Sequence, residues 1–182
     1  SPISVEVDHQ NILEVALGTY VFVVKLWAVR GIRHIERLCV LVKELGSGDI
    51  FMPDETSEKL VTTASRQGRD WLSAKNEVNL DVARKDVETC LIRCDSAFDI
   101  FTKNITHENN DRADIQERTL QQHVGNQLTK KQEVLQKHLF MGRESLSKAT
   151  QAQIDKLKSI LAYKLKEINE RRNIQPQQKE VC

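Results

Sequence analysis

The sequence predicts an all-α protein, a four-helix bundle with a C-terminal, brace-like helical extension. Three observations predict it. Ala, Leu, Glu, Lys, Gln and Arg, the strong helix formers, dominate the later half of the chain. Gly and Pro number only seven and three in 182 residues, so long elements run with few breaks. Aromatic residues make up 5%, few for a sheet protein, and apolar residues recur at spacings of three and four over residues 80–105.

The elements follow in order. Asp8 or Asn11 can cap a first helix over residues 12–45, because a short side-chain oxygen accepts from the free amides of a first turn. Residues 15–29 of that helix are apolar on nearly every side, interrupted by Gly18, Thr19 and Lys25. A helix of that kind must be buried in a core or in lipid. From Arg30 onward it is amphipathic, with Ile32, Ile35, Cys39 and Val42 on one stripe. Gly46 suits the left-handed position that ends a helix. Ile50, Phe51 and Met52 form a short apolar patch that can fold back. Pro53-Asp54 starts a second helix over residues 54–78, with Leu60, Ala64, Trp71 and Val78 inside and Val61, Gly68, Leu72 and Lys75 beside them. A third helix carries the continuous stripe Leu80, Ala83, Val87, Leu91, Cys94, Phe98, Phe101 and Ile105.

Residues 104–114 read as a polar loop. Beyond it runs a thin apolar seam near coiled-coil spacing, which includes Leu128, Leu135, Leu139, Leu157 and Leu161 and offers itself for self-association. Its phase slips at Met141-Gly142, which marks a kink or turn. Thr150 and Gln153 have the spacing of a capping box for a last helix. Residues 173–182 are polar, contain Pro176 and are expected to be disordered. The resulting division is residues 1–110 for the core helices, 111–172 for the helices that close and brace the bundle, and 173–182 for the tail.

Composition excludes several classes of function. A net charge of +1 supplies no global field for nucleic acid. Cys39, Cys90, Cys94 and Cys182 are too few and scattered for a disulfide framework. Cys90 and Cys94, one turn apart, read as small core residues and lack two further soft ligands for a metal. Cys182 is expected to be exposed. Residues 1–10 carry Glu6 and Asp8 with no basic flank, unlike an export signal. Residues 15–29 are too short for a standard membrane span of roughly twenty residues. Gly-rich phosphate loops, CxxC pairs and HExxH are all missing, and the five histidines are scattered, so no enzyme, cofactor or metal is expected.

Lys25, Arg30, Arg33, Arg37 and Lys43 form the basic set of the first helix. Such a set is either a solvated face or an attraction to anionic headgroups, worth about 1 kcal/mol per residue near the surface. Val21, Phe22, Leu26 and Trp27 beside it are bundle core, and could also insert in lipid if the bundle opened.

Two stretches carry a family resemblance. Residues 57–66, SEKLVTTASR, resemble the second helix of the N-terminal four-helix bundle of mixed lineage kinase domain-like proteins. Residues 90–101, CLIRCDSAFDIF, resemble the third helix of the related fungal HeLo-like domains. A long first helix ending ERLCVLV, residues 36–42, also fits that group. The resemblance covers about residues 8–105, and the tail only by architecture. It implies a non-enzymatic effector of regulated cell death that binds anionic phospholipids, forms a homo-oligomer on activation and permeabilises membranes. It further implies a cytoplasmic protein that translocates to the plasma membrane, often with a C-terminal kinase or receptor region behind the bundle. The alternative is a helical adaptor or oligomerisation domain in signalling, without membrane activity.

Overall fold

Residues 20–44 do not form a helix. They form two eleven-residue strands, β2 (Tyr20–Arg30) and β3 (His34–Glu44). The Leu45 amide donates to the Thr19 carbonyl at the open end (2.8 Å), and the Gly31 amide to the Arg33 carbonyl at the turn (3.1 Å). This antiparallel register sets Phe22 opposite Val42 and Val23 opposite Leu41. Successive side chains along a strand leave on opposite faces, so the hairpin has two distinct surfaces. On one, Tyr20, Phe22, Val40 and Val42 pack with Ile12, Val15, Met52, Leu60 and Val61. On the other, Val21, Val23, Cys39 and Leu41 pack with Val87, Cys90, Leu91 and Cys94. Both faces are covered, so both residue parities are apolar, and the run looks apolar all round.

The computed structural model describes residues 3–181, apart from the Lys75 side chain. The exposure expected of Cys182 and the place expected of Lys75 lie outside those residues. The all-α, four-helix-bundle expectation is overturned: the chain forms two antiparallel sheets as well as helices. β1 (Val5–Glu6) pairs with β4 (Arg69–Asp70), Val5 opposite Asp70. The larger sheet has the order β3-β2-β5, where β5 is Gln175–Glu180. The expected disordered tail is therefore mostly an edge strand.

The helices also differ from expectation at their ends. Asp8 does cap, but it caps a single 3-10 turn (His9–Asn11), its carboxylate accepting the Gln10 amide. Residues 50–52 fold back as expected, beside β3, with the Met52 amide donating to the Val42 carbonyl. α1 (Asp54–Gln67) stops eleven residues short of the predicted end, because Gly68 is extended rather than helical. A Cβ at Gly68 would lie 2.3 Å from the Ala64 carbonyl oxygen, so no other residue fits there unchanged. A short α2 (Ala74–Glu77) follows. α3 (Leu80–Phe140) runs 61 residues, straight through the stretch read as a polar loop. α4 (Glu144–Arg172) starts before the proposed capping box, and Thr150 lies inside it, donating to the Leu146 carbonyl.

The chain divides into two compact units. The first takes the chain up to Val29, Ile35–Lys103 and the segment from Pro176 onward. The second takes Arg30–His34 and Asn104–Gln175. The sheet and its two-sided core belong to the first unit. The second is an antiparallel helical hairpin.

Candidate functional site

In the hairpin unit, residues 104–140 of α3 lie against α4. Ala113 and Val124 from one helix, with Ser147, Thr150 and Ile154 from the other, are buried. Half-buried Leu128, Leu135, Leu157 and Leu161 continue that seam. Four of the five leucines expected to drive self-association thus lie along the contact within one chain, while Leu139 is 62% exposed. Polar pairs hold the register. Lys131 donates to Gln153 (2.6 Å) near one end. Near the other, the Arg172 guanidinium binds Asp114 (2.6 Å) and Glu117 (2.7 Å), which raises its pKa further. Asn109, buried, accepts the Ile32 amide (2.7 Å) and donates to the Arg171 and Arg172 carbonyls (3.0 Å each). A Cβ on Gly31 would stand 2.4 Å from the Asn109 oxygen, so glycine admits this clasp.

The turn between the helices is defined by backbone bonds. The Arg143 amide donates to the His138 carbonyl (2.9 Å) and the Gly142 amide to the Leu139 carbonyl (3.1 Å). This is the two-bond motif that closes a helix through one left-handed residue, here Gly142 at φ +66°. The turn expected at Met141-Gly142 is therefore present. It fixes three consecutive apolar side chains in solvent: Leu139, Phe140, 93% exposed, and Met141. Leu146 is also exposed. A surface hollow of about 360 Å³ beside them is lined by Glu133, Gln136, Lys137, Phe140 and Met141. Residues 130–148 hold five basic side chains (Lys130, Lys131, Lys137, Arg143, Lys148) against two acidic ones (Glu133, Glu144). Lys148 pairs with Glu144 at 2.7 Å. The result is a rigid apolar tip in a basic frame.

The basic set expected on a first helix is split by burial. Arg30, Arg33 and Arg37 are exposed. Lys25 and Lys43 are buried on the α3 side of the sheet, and each meets an aspartate. Lys43 donates to Asp86 (2.6 Å) and to the Gly48 carbonyl. Asp86 also accepts the Gly46 amide (2.7 Å), and these two bonds, the amide first, hold its carboxyl below the ordinary range. Lys25 donates to Asp95 (2.6 Å), which is lowered chiefly by that bond and further by Gln178. The four residues expected to meet lipid lie in β2. Val21 and Phe22 belong to opposite core clusters, Leu26 is half-buried, and buried Trp27 packs at a tilt against Phe98 and Phe101, with ring centres 5.6 and 5.3 Å apart.

The tip does not emerge from the sequence reading, which places Leu139 in the seam and Met141 at a phase slip and does not single out Phe140. The available signal was three apolar residues in a row before Gly142, more than a narrow seam can bury. Among the described residues no helix is long and apolar enough to cross a membrane, and no group of three His, Cys, Asp or Glu could hold a metal. No protein-family model, no curated protein and no solved structure matches this chain.

Proposed function

We propose that this chain is a non-catalytic module that docks on anionic lipid surfaces through the tip of its helical hairpin. The observation that carries the reading is the exposed Leu139-Phe140-Met141 triplet, held by a closed turn rather than by a flexible loop. A solvated Phe at 93% exposure is costly, and burying one such side chain gains about 1.5–3 kcal/mol. Lys130, Lys137 and Arg143 add about 1 kcal/mol each near an anionic leaflet. Together these support reversible binding comparable to a single acyl anchor, on the order of 10⁴ M⁻¹.

The reading keeps the lipid contact that the family resemblance implies and moves it from residues 21–43 to the hairpin turn. It stops at docking. Phe22 and Trp27 are strand residues of a two-sided core, and exposing them would dismantle the sheet. Vesicle co-sedimentation tests it. Wild type is expected to bind phosphatidylserine vesicles more than phosphatidylcholine vesicles. Phe140→Ser with Met141→Ser should lose on the order of a hundredfold in partitioning. Binding that is indifferent to both the tip residues and the lipid charge overturns the reading, and so does concentration-dependent dimerisation that uses the tip instead.

A further inference from the structure

The sheet unit holds a feature that lipid docking does not use. Cys39 of β3 and Cys94 of α3 bring their sulfurs to 3.2 Å within the core cluster on that face of the sheet. Both are free thiols. Cys94 is fully buried, while Cys39 is half-buried. We propose that Cys39 and Cys94 form a modification site, a thiol pair that hydrogen peroxide oxidises to an intrachain disulfide.

The geometry selects these two from the three described cysteines of the unit. Cys90 and Cys94 stand four residues apart on one helix, where Cβ atoms lie about 5–6 Å apart. A disulfide needs about 3.5–4.5 Å, so that pair cannot close. Cys39 approaches Cys94 from a facing strand, which has no such limit. The protonation pattern agrees. The hydrogen bond from Cys39 favours the Cys94 thiolate, with the Lys25 charge assisting, while the Cys39 thiol is held protonated. Cys90 is pushed up to about 11 by burial and stays a neutral thiol.

The step balances. The Cys94 thiolate attacks one peroxide oxygen, the O–O bond breaks, hydroxide leaves and takes a proton from solvent to become water, and Cys94 becomes a sulfenic acid. The Cys39 sulfur then attacks the Cys94 sulfur, the S–O bond breaks, and the departing hydroxide takes the Cys39 thiol proton as a second water. Two thiols lose two electrons, and one peroxide is reduced to two waters. The product ties β3 to α3.

The test treats the folded full chain with graded hydrogen peroxide, blocks remaining thiols with an alkylating reagent, and maps the non-reduced peptides by mass spectrometry. The expected result is a linked Cys39–Cys94 peptide, two fewer alkylated thiols and reversal by dithiothreitol. The link should vanish in Cys39→Ser and Cys94→Ser and persist in Cys90→Ser. Oxidised wild type should melt several degrees higher than reduced, a shift absent in Cys39→Ser. Should either serine variant fail to fold, the linked peptide in wild type and Cys90→Ser decides. A link through Cys90 or Cys182, a sulfinic acid in place of a link, or folded thiols that ignore peroxide at levels that consume free cysteine overturns the proposal.

Discussion

The two units keep polar groups inside in opposite ways. Apart from Ser57, which donates to the nearby Met52 carbonyl, the buried polar groups described in the sheet unit are full charges, and their partners come from far along the chain: Lys43 reaches Asp86 and Lys25 reaches Asp95. In the hairpin unit they are small and mostly satisfied one turn away. Ser147 donates to the Arg143 carbonyl and Thr150 to the Leu146 carbonyl. Asn109 is the exception, bonded to groups 62 to 77 residues distant. A sheet covered on both faces must settle its charges across layers, since a strand side chain has no carbonyl one turn below it. A helix seam can settle hydroxyls locally and stay narrow.

The sharpest break of that contrast is Asp86→Ala. The Lys43 side chain is only 1% exposed, so losing its partner leaves an uncompensated buried charge. The expected loss is about 3–5 kcal/mol in urea denaturation. Replacing both partners, Lys43→Met with Asp86→Leu, should recover most of it. In the hairpin, Ile154→Ala should cost about 2 kcal/mol, because a narrow seam collapses around a lost side chain more readily than a two-sided core. Both tryptophans lie in the sheet unit, so indole fluorescence follows that region by itself.

Acid should act on the sheet unit first. Asp86 and Asp95 have folded-state pKa values below the ordinary 3.8, the first through the Gly46 amide and Lys43, the second through Lys25. A carboxyl lowered by folding favours the folded state when ionised. Its contribution is complete above the ordinary carboxylate range and is lost as pH falls through the depressed value. Stability against pH should therefore fall below about pH 4, with a flatter slope in Asp86→Asn. The smallest effect belongs to the tip. Phe140→Ser should leave stability within about 0.5 kcal/mol of wild type while it weakens vesicle binding.

Much of the helical part was legible. The stripe through Val87, Leu91, Cys94 and Phe98 does face the core, and Gly142 does turn the chain. Gly46 is left-handed as expected, at φ +77°, though it follows a strand. The misreading came from residues 15–45. Periodicity distinguishes helix from strand only when one face is wet, and β2 is covered on both. Two other signals were present. Val21, Val23, Val24, Val29, Ile35, Val40 and Val42 are β-branched, and Gly31 sits between two runs of equal length. The continuity of α3 through residues 104–114 was hidden because that stretch is polar and its one buried amide, Asn109, acts through distant carbonyls. Lys25 and Lys43 looked like surface charges because Asp95 and Asp86 are 70 and 43 residues away.

The last strand has a consequence of its own. Every residue of β5 is exposed, so it adds almost no apolar burial. It instead occupies the hydrogen-bonding rim of β2, and the Val181 amide donates to the Val24 carbonyl just beyond it. Proteolytic trimming of those few residues would uncover a long valine-rich backbone ready to recruit the same segment from other copies. The segment would then govern shelf life and fibre seeding far more than it governs folding.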